Sequence, residues 1–177
     1  ARLDDPSPAF QKSEGCLDSM LQTIMADYVL ILNDKGIQWE MELPPSPVSA
    51  TFNAEGLTQV IRNLLDNAIM HGGDGKYLGV RLRREGEAAR IDIEDRGKGI
   101  PAHKLANIFD PFYRVNEGRP GNGLGVGLTL AEAVVRQHGG RIEVASTPNE
   151  RTVFSVLLPV GSGDGRSGDS RGQGNPC

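Results

Sequence analysis

Three short segments of this sequence carry residue types and spacings that could do chemistry. In QVIRNLLDNAIMHG, Asn63, Asn67 and His71 are four residues apart, which lines them up on one face of a helix. Asparagine competes for backbone hydrogen bonds inside a helix, so two at this spacing mark either a solvated polar face or a functional one. An amide oxygen is a hard, neutral ligand that suits Mg²⁺ otherwise held by waters and phosphate oxygens. In IEDRGKGIP, a strand ends in Asp95 and is followed by Gly97 and Gly99. A buried carboxylate there accepts hydrogen bonds, as the exocyclic amine of adenine requires, and glycines let the backbone approach a flat base. Taken alone, Asp-x-Gly-x-Gly also reads as a turn. In GNGLGVGL, Gly123, Gly125 and Gly127 precede or open a helix, where successive N–H groups and the helix N-terminus favour an anion. Arg114 and Arg119 lie just upstream, placed to clamp a terminal phosphate; the plain alternative is a surface loop. No Gly-Lys-Ser/Thr follows, and neither a Walker loop nor a dinucleotide-binding G-x-G-x-x-G fits.

The elements that must hold these residues are legible in the same sequence. Leu17, Met20, Leu21, Ile24, Met25, Tyr28, Ile31 and Leu32 recur at helical spacing, closed by Lys35-Gly36. Residues 37–43 alternate as a strand that a proline cluster ends. Asn53 can cap a helix over 54–71 with an apolar stripe of Leu57, Ile61, Leu64, Leu65 and Ala68. Residues 77–83 and 89–95 read as paired strands, 102–107 as a short helix and 125–138 as a longer one stopped by Gly139-Gly140. A hairpin over 141–146 and 152–158 comes last. Locally paired strands after early helices predict an α+β sandwich rather than a doubly wound parallel sheet.

The 177 residues suffice for one domain with a real core, and 24% charged residues is ordinary for a globular chain. Residues 1–13 read as a flexible lead-in, 14–160 as the folded domain, and 161–177 as a disordered Gly/Ser-rich tail. A net charge of −4 gives no electrostatic reason to expect nucleic acid as a partner. Cys16 and Cys177 show neither a disulfide framework nor zinc spacing, and read as the reduced thiols of a cytosolic protein. No apolar run approaches the roughly 20 residues needed to span a bilayer.

In this order, the segments resemble the ATP-binding catalytic domain of sensor histidine kinases, in the GHKL superfamily shared with gyrase, Hsp90 and MutL ATPases. NLLDNA (63–68) resembles the N box, DRGKGI (95–100) the first glycine box, FDPFYR (109–114) the phenylalanine box and GNGLGVGL (121–128) the second glycine box. The likeness covers about residues 17–159. It implies a Bergerat fold, a two-layer α/β sandwich whose mixed, mostly antiparallel sheet is covered by helices on one face. It implies ATP and Mg²⁺ as cofactors, with Asn67 as metal ligand and Asn63 close to metal and phosphates. Asp95 would hold the adenine amine, with Gly97, Gly99, Ile100 and, loosely, Thr152 around the base. Arg114 and Arg119 would act catalytically with Asn63 and Asn67. His71, Gly121, Asn122, Gly123, Leu124, Gly125, Gly127 and Leu128 would complete the nucleotide site, with 121–127 as the hinge of an ATP lid.

The implied reaction is transfer of the ATP γ-phosphoryl group to a histidine on a dimerisation and phosphotransfer domain that this chain lacks. A response regulator receiver domain would follow as partner. The resemblance implies a cytoplasmic domain, monomeric alone, in a homodimeric parent that a missing N-terminal part could anchor in the cell membrane. His71, His103 and His138 do not stand in a phosphoacceptor box, so the chain should not label itself. Met70 stands where the family usually has a phosphate-touching lysine, and Asn149-Glu150-Arg151-Thr152 replaces the usual Gly-x-Gly-Thr turn. Three readings stay open beside the first. They are an ATPase, which would want a glutamate where Asn63 stands, a protein-serine kinase of the superfamily, and a nucleotide-binding module without catalysis.

Overall fold

The computed structural model of the chain describes residues 10–110, 124–160 and 177. Helix α1 (Leu17–Asp34) buries Leu17, Leu21, Ile24, Met25, Tyr28 and Leu32. Ile31, counted with that stripe in the sequence, is instead 44% exposed. The helix stops at Gly36, whose φ of +66° is a left-handed conformation that glycine takes without a Cβ clash. Helix α2 (Ala54–Gly72) starts as expected at Asn53, whose side-chain oxygen accepts from Gly56 N at 2.7 Å. Its buried stripe contains all five residues read from the periodicity, together with Val60.

Strands β2 (Gln38–Glu42), β4 (Tyr77–Glu85), β5 (Ala88–Asp95), β6 (Arg141–Thr147) and β7 (Arg151–Pro159) form one sheet in the order β2-β4-β5-β7-β6. Only β2–β4 is parallel in it; the other pairs are antiparallel. Strand alternation turns Leu78, Val80, Leu82, Ala89, Ile91, Ile93, Phe154, Val156 and Leu158 to the face that α1, α2 and α4 (Leu124–Gln137) cover. The opposite face is ionic. Asp92 there bonds to Ser155 Oγ at 2.6 Å, Arg83 at 2.8 Å and Arg90 at 3.0 Å. Burial pushes that carboxyl up, but these partners outweigh it and leave its pKa lowered. The predicted two-layer architecture is therefore observed, with α1, α2 and α4 covering one face of the sheet.

Two features depart from the sequence reading. Strands β1 (Ser13–Cys16) and β3 (Ser49–Phe52) form a separate antiparallel pair that the four-residue lengths concealed. The expected thiols are a disulfide, Cys16–Cys177, with Cα atoms 5.1 Å apart although 161 positions separate them. Spacing along the chain could not show that its last residue returns to the start of α1. Residues 1–9 and 161–176, most of the expected lead-in and tail, lie outside the described residues. Among the described residues no helix is long and apolar enough to cross a membrane.

The short helix read over 102–107 is a single turn, α3 (Ala102–Leu105), and His103 on it is exposed. His138 is not a surface residue: it is 5% exposed. Its Nδ1–H donates to Val134 O at 2.8 Å while Nε2 accepts from Asn53 N at 3.0 Å, so a neutral imidazole ties the end of α4 to the cap of α2. Burial holds its pKa below the ordinary value, against the Val134 bond and with help from Lys12. A depressed histidine contributes stability that is present above its unfolded pKa, about 6.5, and lost as pH falls through the folded value. His138→Ala should cost roughly 1–3 kcal/mol at neutral pH by stranding the Asn53 N–H. That cost, read by urea denaturation at a series of pH values, should shrink toward pH 5; a pH-independent cost would contradict the neutral-imidazole latch.

Candidate active site

Helix α2 is the spine of the site. Near its middle, Asn63 Nδ2 donates to Gly127 O at 3.3 Å, and Gln59 Nε2 donates to Asn63 Oδ1 at 3.0 Å. Asn63 thereby fixes the first turns of α4 against α2. One turn along, Asn67 is half-buried, and its Nδ2 is fully buried with no hydrogen-bond partner among the described residues. Stranding a buried amide costs about 1–3 kcal/mol, so this group is a place for a ligand or an ordered water to bond. A half-turn about χ2 exchanges its N–H donor for its oxygen acceptor, so the same group fits a phosphate oxygen or a cation. His71, a further turn on, is half-buried with its pKa lowered by that burial, which keeps the ring neutral. Met70 beside it is 61% exposed.

At the end of α2 the backbone meets the end of β5. Asp95, the last residue of β5, sits between Leu78 and Thr152 in the sheet and is 7% exposed. One of its oxygens accepts from Gly97 N at 3.0 Å. Burial is the main cause that raises its pKa to about 6, partly offset by the Gly97 bond and reinforced by Glu94. A Cβ at Gly72 would lie 2.2 Å from Asp95 Cγ, and one at Gly97 would lie 2.5 Å from Gly72 Cα. Both positions must therefore be glycine for helix end and strand end to touch. Gly75 is equally constrained, with Arg96 O at 2.0 Å from its hypothetical Cβ.

Beyond Asp95, Gly99 adopts φ +79° and Ile100 N donates to Ser146 Oγ at 2.9 Å. Ser146 and Thr152 share a hydrogen bond of 2.7 Å, which anchors the Asp95 neighbour Thr152 to the same loop. Asn149 takes φ +63°, the conformation that a glycine would supply in the usual turn, and its N–H donates to Lys98 O at 2.8 Å. The replaced turn is thus kept in register by an asparagine.

The structure brings Asn63, Asn67, His71 and Gly127 to α2 and its α4 contact, and Asp95, Gly97, Gly99, Ile100 and Thr152 to the adjoining end of the sheet. From Asn63 to Gly72 the helix rises about 13 Å, comparable to an extended nucleoside triphosphate. Leu128 is not presented to a ligand: it is 0% exposed within the core. Leu124 and Gly125 belong to α4. Arg114, Arg119, Gly121, Asn122, Gly123 and most of the 109–114 box lie outside the described residues. Sequence reasoning missed Gly72, Gly75 and Ser146. The run HGGDG contained a signal for the glycines, but nothing local says what they approach.

The model of the family described as Histidine kinase-, DNA gyrase B-, and HSP90-like ATPase matches residues 52–162. Sensor histidine kinase YcbM of Bacillus subtilis (strain 168) is 37% identical over 160 residues, 89% of this chain and 51% of that protein. Alginate biosynthesis sensor protein KinB of Pseudomonas aeruginosa is 42% identical over 104 residues, 59% of this chain and 17% of that protein. This chain thus spans about half of YcbM and a smaller part of KinB. Among solved structures, the catalytic domain of histidine kinase ThkA superposes with TM-score 0.75 at 22% identity, over 85% of this chain and 96% of that one. The mycobacterial sensor histidine kinase MprB superposes with TM-score 0.69 at 26% identity, over 85% of this chain and 99% of that one.

Proposed function

We propose that this chain, which belongs to the histidine kinase-, DNA gyrase B- and HSP90-like ATPase family, is the ATP-binding catalytic domain of a sensor histidine kinase. The observation that carries the reading is the buried amide nitrogen of Asn67, unpartnered among the described residues, one helical turn from Asn63 and five residues before the Gly72–Asp95 contact. Adenine would lie against Asp95, Gly97 and Gly99, its amine donating to the carboxylate. The phosphates would run along α2 past His71 toward Asn67 and the start of α4. The donor set fits Mg²⁺, because Asn67 can offer an amide oxygen where waters and phosphate oxygens supply the remaining positions. Bound there, Mg²⁺ would neutralise and orient the terminal phosphates.

The protein's own part is positioning and charge, which is most of what phosphoryl transfer asks of a catalyst. Asn63 holds the first turns of α4, Asp95 fixes the base, and we assign Arg114 and Arg119 to the γ-phosphate. The acceptor would be an imidazole nitrogen on a separate phosphotransfer domain, with a response regulator downstream. Asn63 offers no carboxylate to activate water, which argues against rapid hydrolysis. The parent's dimerisation and any membrane anchoring belong to the same proposal.

Titration with a non-hydrolysable ATP analogue should show Asn67→Ala losing at least about tenfold in affinity with Mg²⁺ present, and less in EDTA. Equal affinity of wild type and variant would sink the metal assignment. In a mixture with a purified phosphoacceptor domain and labelled ATP, the acceptor should take label while the chain alone does not. An unlabelled acceptor with intact nucleotide binding would leave a binding module.

A further inference from the structure

Far from the nucleotide site along the sequence, three groups meet at the start of α1. Cys16 is the residue that caps α1, Asp18 lies in its first turn, and Cys177 is the last residue of the chain. The two sulfurs and an Asp18 carboxylate oxygen all lie within 4.8 Å of one another. Cys16 and Asp18 are each 8% exposed, whereas Cys177 is exposed. Asp18 Oδ2 accepts from Val48 N at 2.7 Å, which fixes the carboxylate beside the sulfurs. Ser49 Oγ stands 3.6 Å from Cys177 Sγ.

With the disulfide formed, the two sulfurs carry no charge. A dithiol reductant would change that: two electrons and two protons pass to the sulfurs, and the reductant closes its own disulfide. Two cysteines, a helix N-terminus that favours the thiolate and a fixed carboxylate then share a largely buried space. Ionised together without a counter-charge they repel one another. Two thiolate sulfurs and one carboxylate oxygen are the ligand types of a zinc-class cation, and three protein ligands leave a fourth position for water. A Cα separation of 5.1 Å lets the sulfurs part to the roughly 3.7 Å that a shared tetrahedral ion requires.

We propose that Cys16, Asp18 and Cys177 form a redox-gated site for Zn²⁺ or a similarly thiophilic divalent cation, closed to metal as the disulfide and open to it as the dithiol. Metal binding releases the two thiol protons and again joins the chain's last residue to the β1–α1 junction. The site is independent of the nucleotide reading.

The test uses the full chain, oxidised or reduced, titrated with Zn²⁺ against a chromophoric chelator. The reduced wild type should bind one equivalent and the oxidised form none. Cys177→Ser, at an exposed position that the core does not need, should lower affinity at least about a hundredfold, and Asp18→Asn about tenfold. Asn at 18 keeps an oxygen for the Val48 N–H, so its melting temperature checks that the fold is intact. Equal binding by reduced wild type and Cys177→Ser, or by oxidised and reduced wild type, overturns the site. Unchanged affinity in Asp18→Asn overturns the three-ligand assignment.

Discussion

Asp95→Asn should make the nucleotide-free chain more stable at neutral pH while removing its nucleotide binding. The two effects have opposite signs because one buried carboxylate causes both. Its folded pKa of about 6 is raised above the ordinary value, chiefly by burial. A raised pKa means the group's favourable contribution is complete below its unfolded pKa, near 3.9, and is lost as pH climbs through about 6. At pH 7.5 the folded chain therefore carries a charge that it would shed, at a cost of about 2–3 kcal/mol. Asparagine keeps an oxygen for the Gly97 N–H and removes the charge. It also turns an N–H toward the place we assign to the adenine amine, so donor would meet donor and the ligand would lose its partner. Thermal melts of the apo proteins should place the variant several degrees higher at pH 7.5, with the gap closing toward pH 4. Titration with an ATP analogue should show an affinity loss of about a hundredfold or more. A variant that is less stable and still binds would refute the assignment of Asp95 to the base.

Gly72→Ala should also abolish binding, but with the stability effect reversed. The added methyl would lie 2.2 Å from Asp95 Cγ and 2.6 Å from its Cβ. The carboxyl must swing aside or the end of α2 must lift from β5. Swinging it aside breaks the Gly97 N–H bond and strands a buried donor, at about 1–3 kcal/mol. The acceptor that we assign to the adenine amine then no longer points into the site. We expect about a hundredfold weaker analogue binding and a lower melting temperature, while Gly73→Ala, whose Cβ would meet only Ile37 Cδ1 at 3.6 Å, should change both little. If Gly72→Ala bound normally, the helix end would not form the wall of the base pocket.

The contrast between those two glycines shows where sequence reasoning reached its limit. HGGDG offers both with nothing local to separate them, and only the approach of β5 makes one indispensable. The helical stripes, the Asn53 cap, the strand ending at Asp95 and the alignment of Asn63, Asn67 and His71 are set by interactions among residues a few positions apart. Those were readable, and the order of the four boxes then pointed to the family. The strand β1 was too short for its alternation to register, and Leu128 was counted with the nucleotide site although packing places it in the core.

What the sequence determined by itself is thus the fold class, the family and most of the helices and strands of the main sheet. Tertiary structure alone decided that Gly72 touches Asp95, that Ser146 links Ile100 to Thr152, that His138 latches onto Asn53, and that Cys177 reaches Cys16. The reason is physical: local periodicity fixes which face a side chain occupies, but partners on different elements, up to 161 positions apart, meet only when whole elements pack, and close packing leaves a single arrangement.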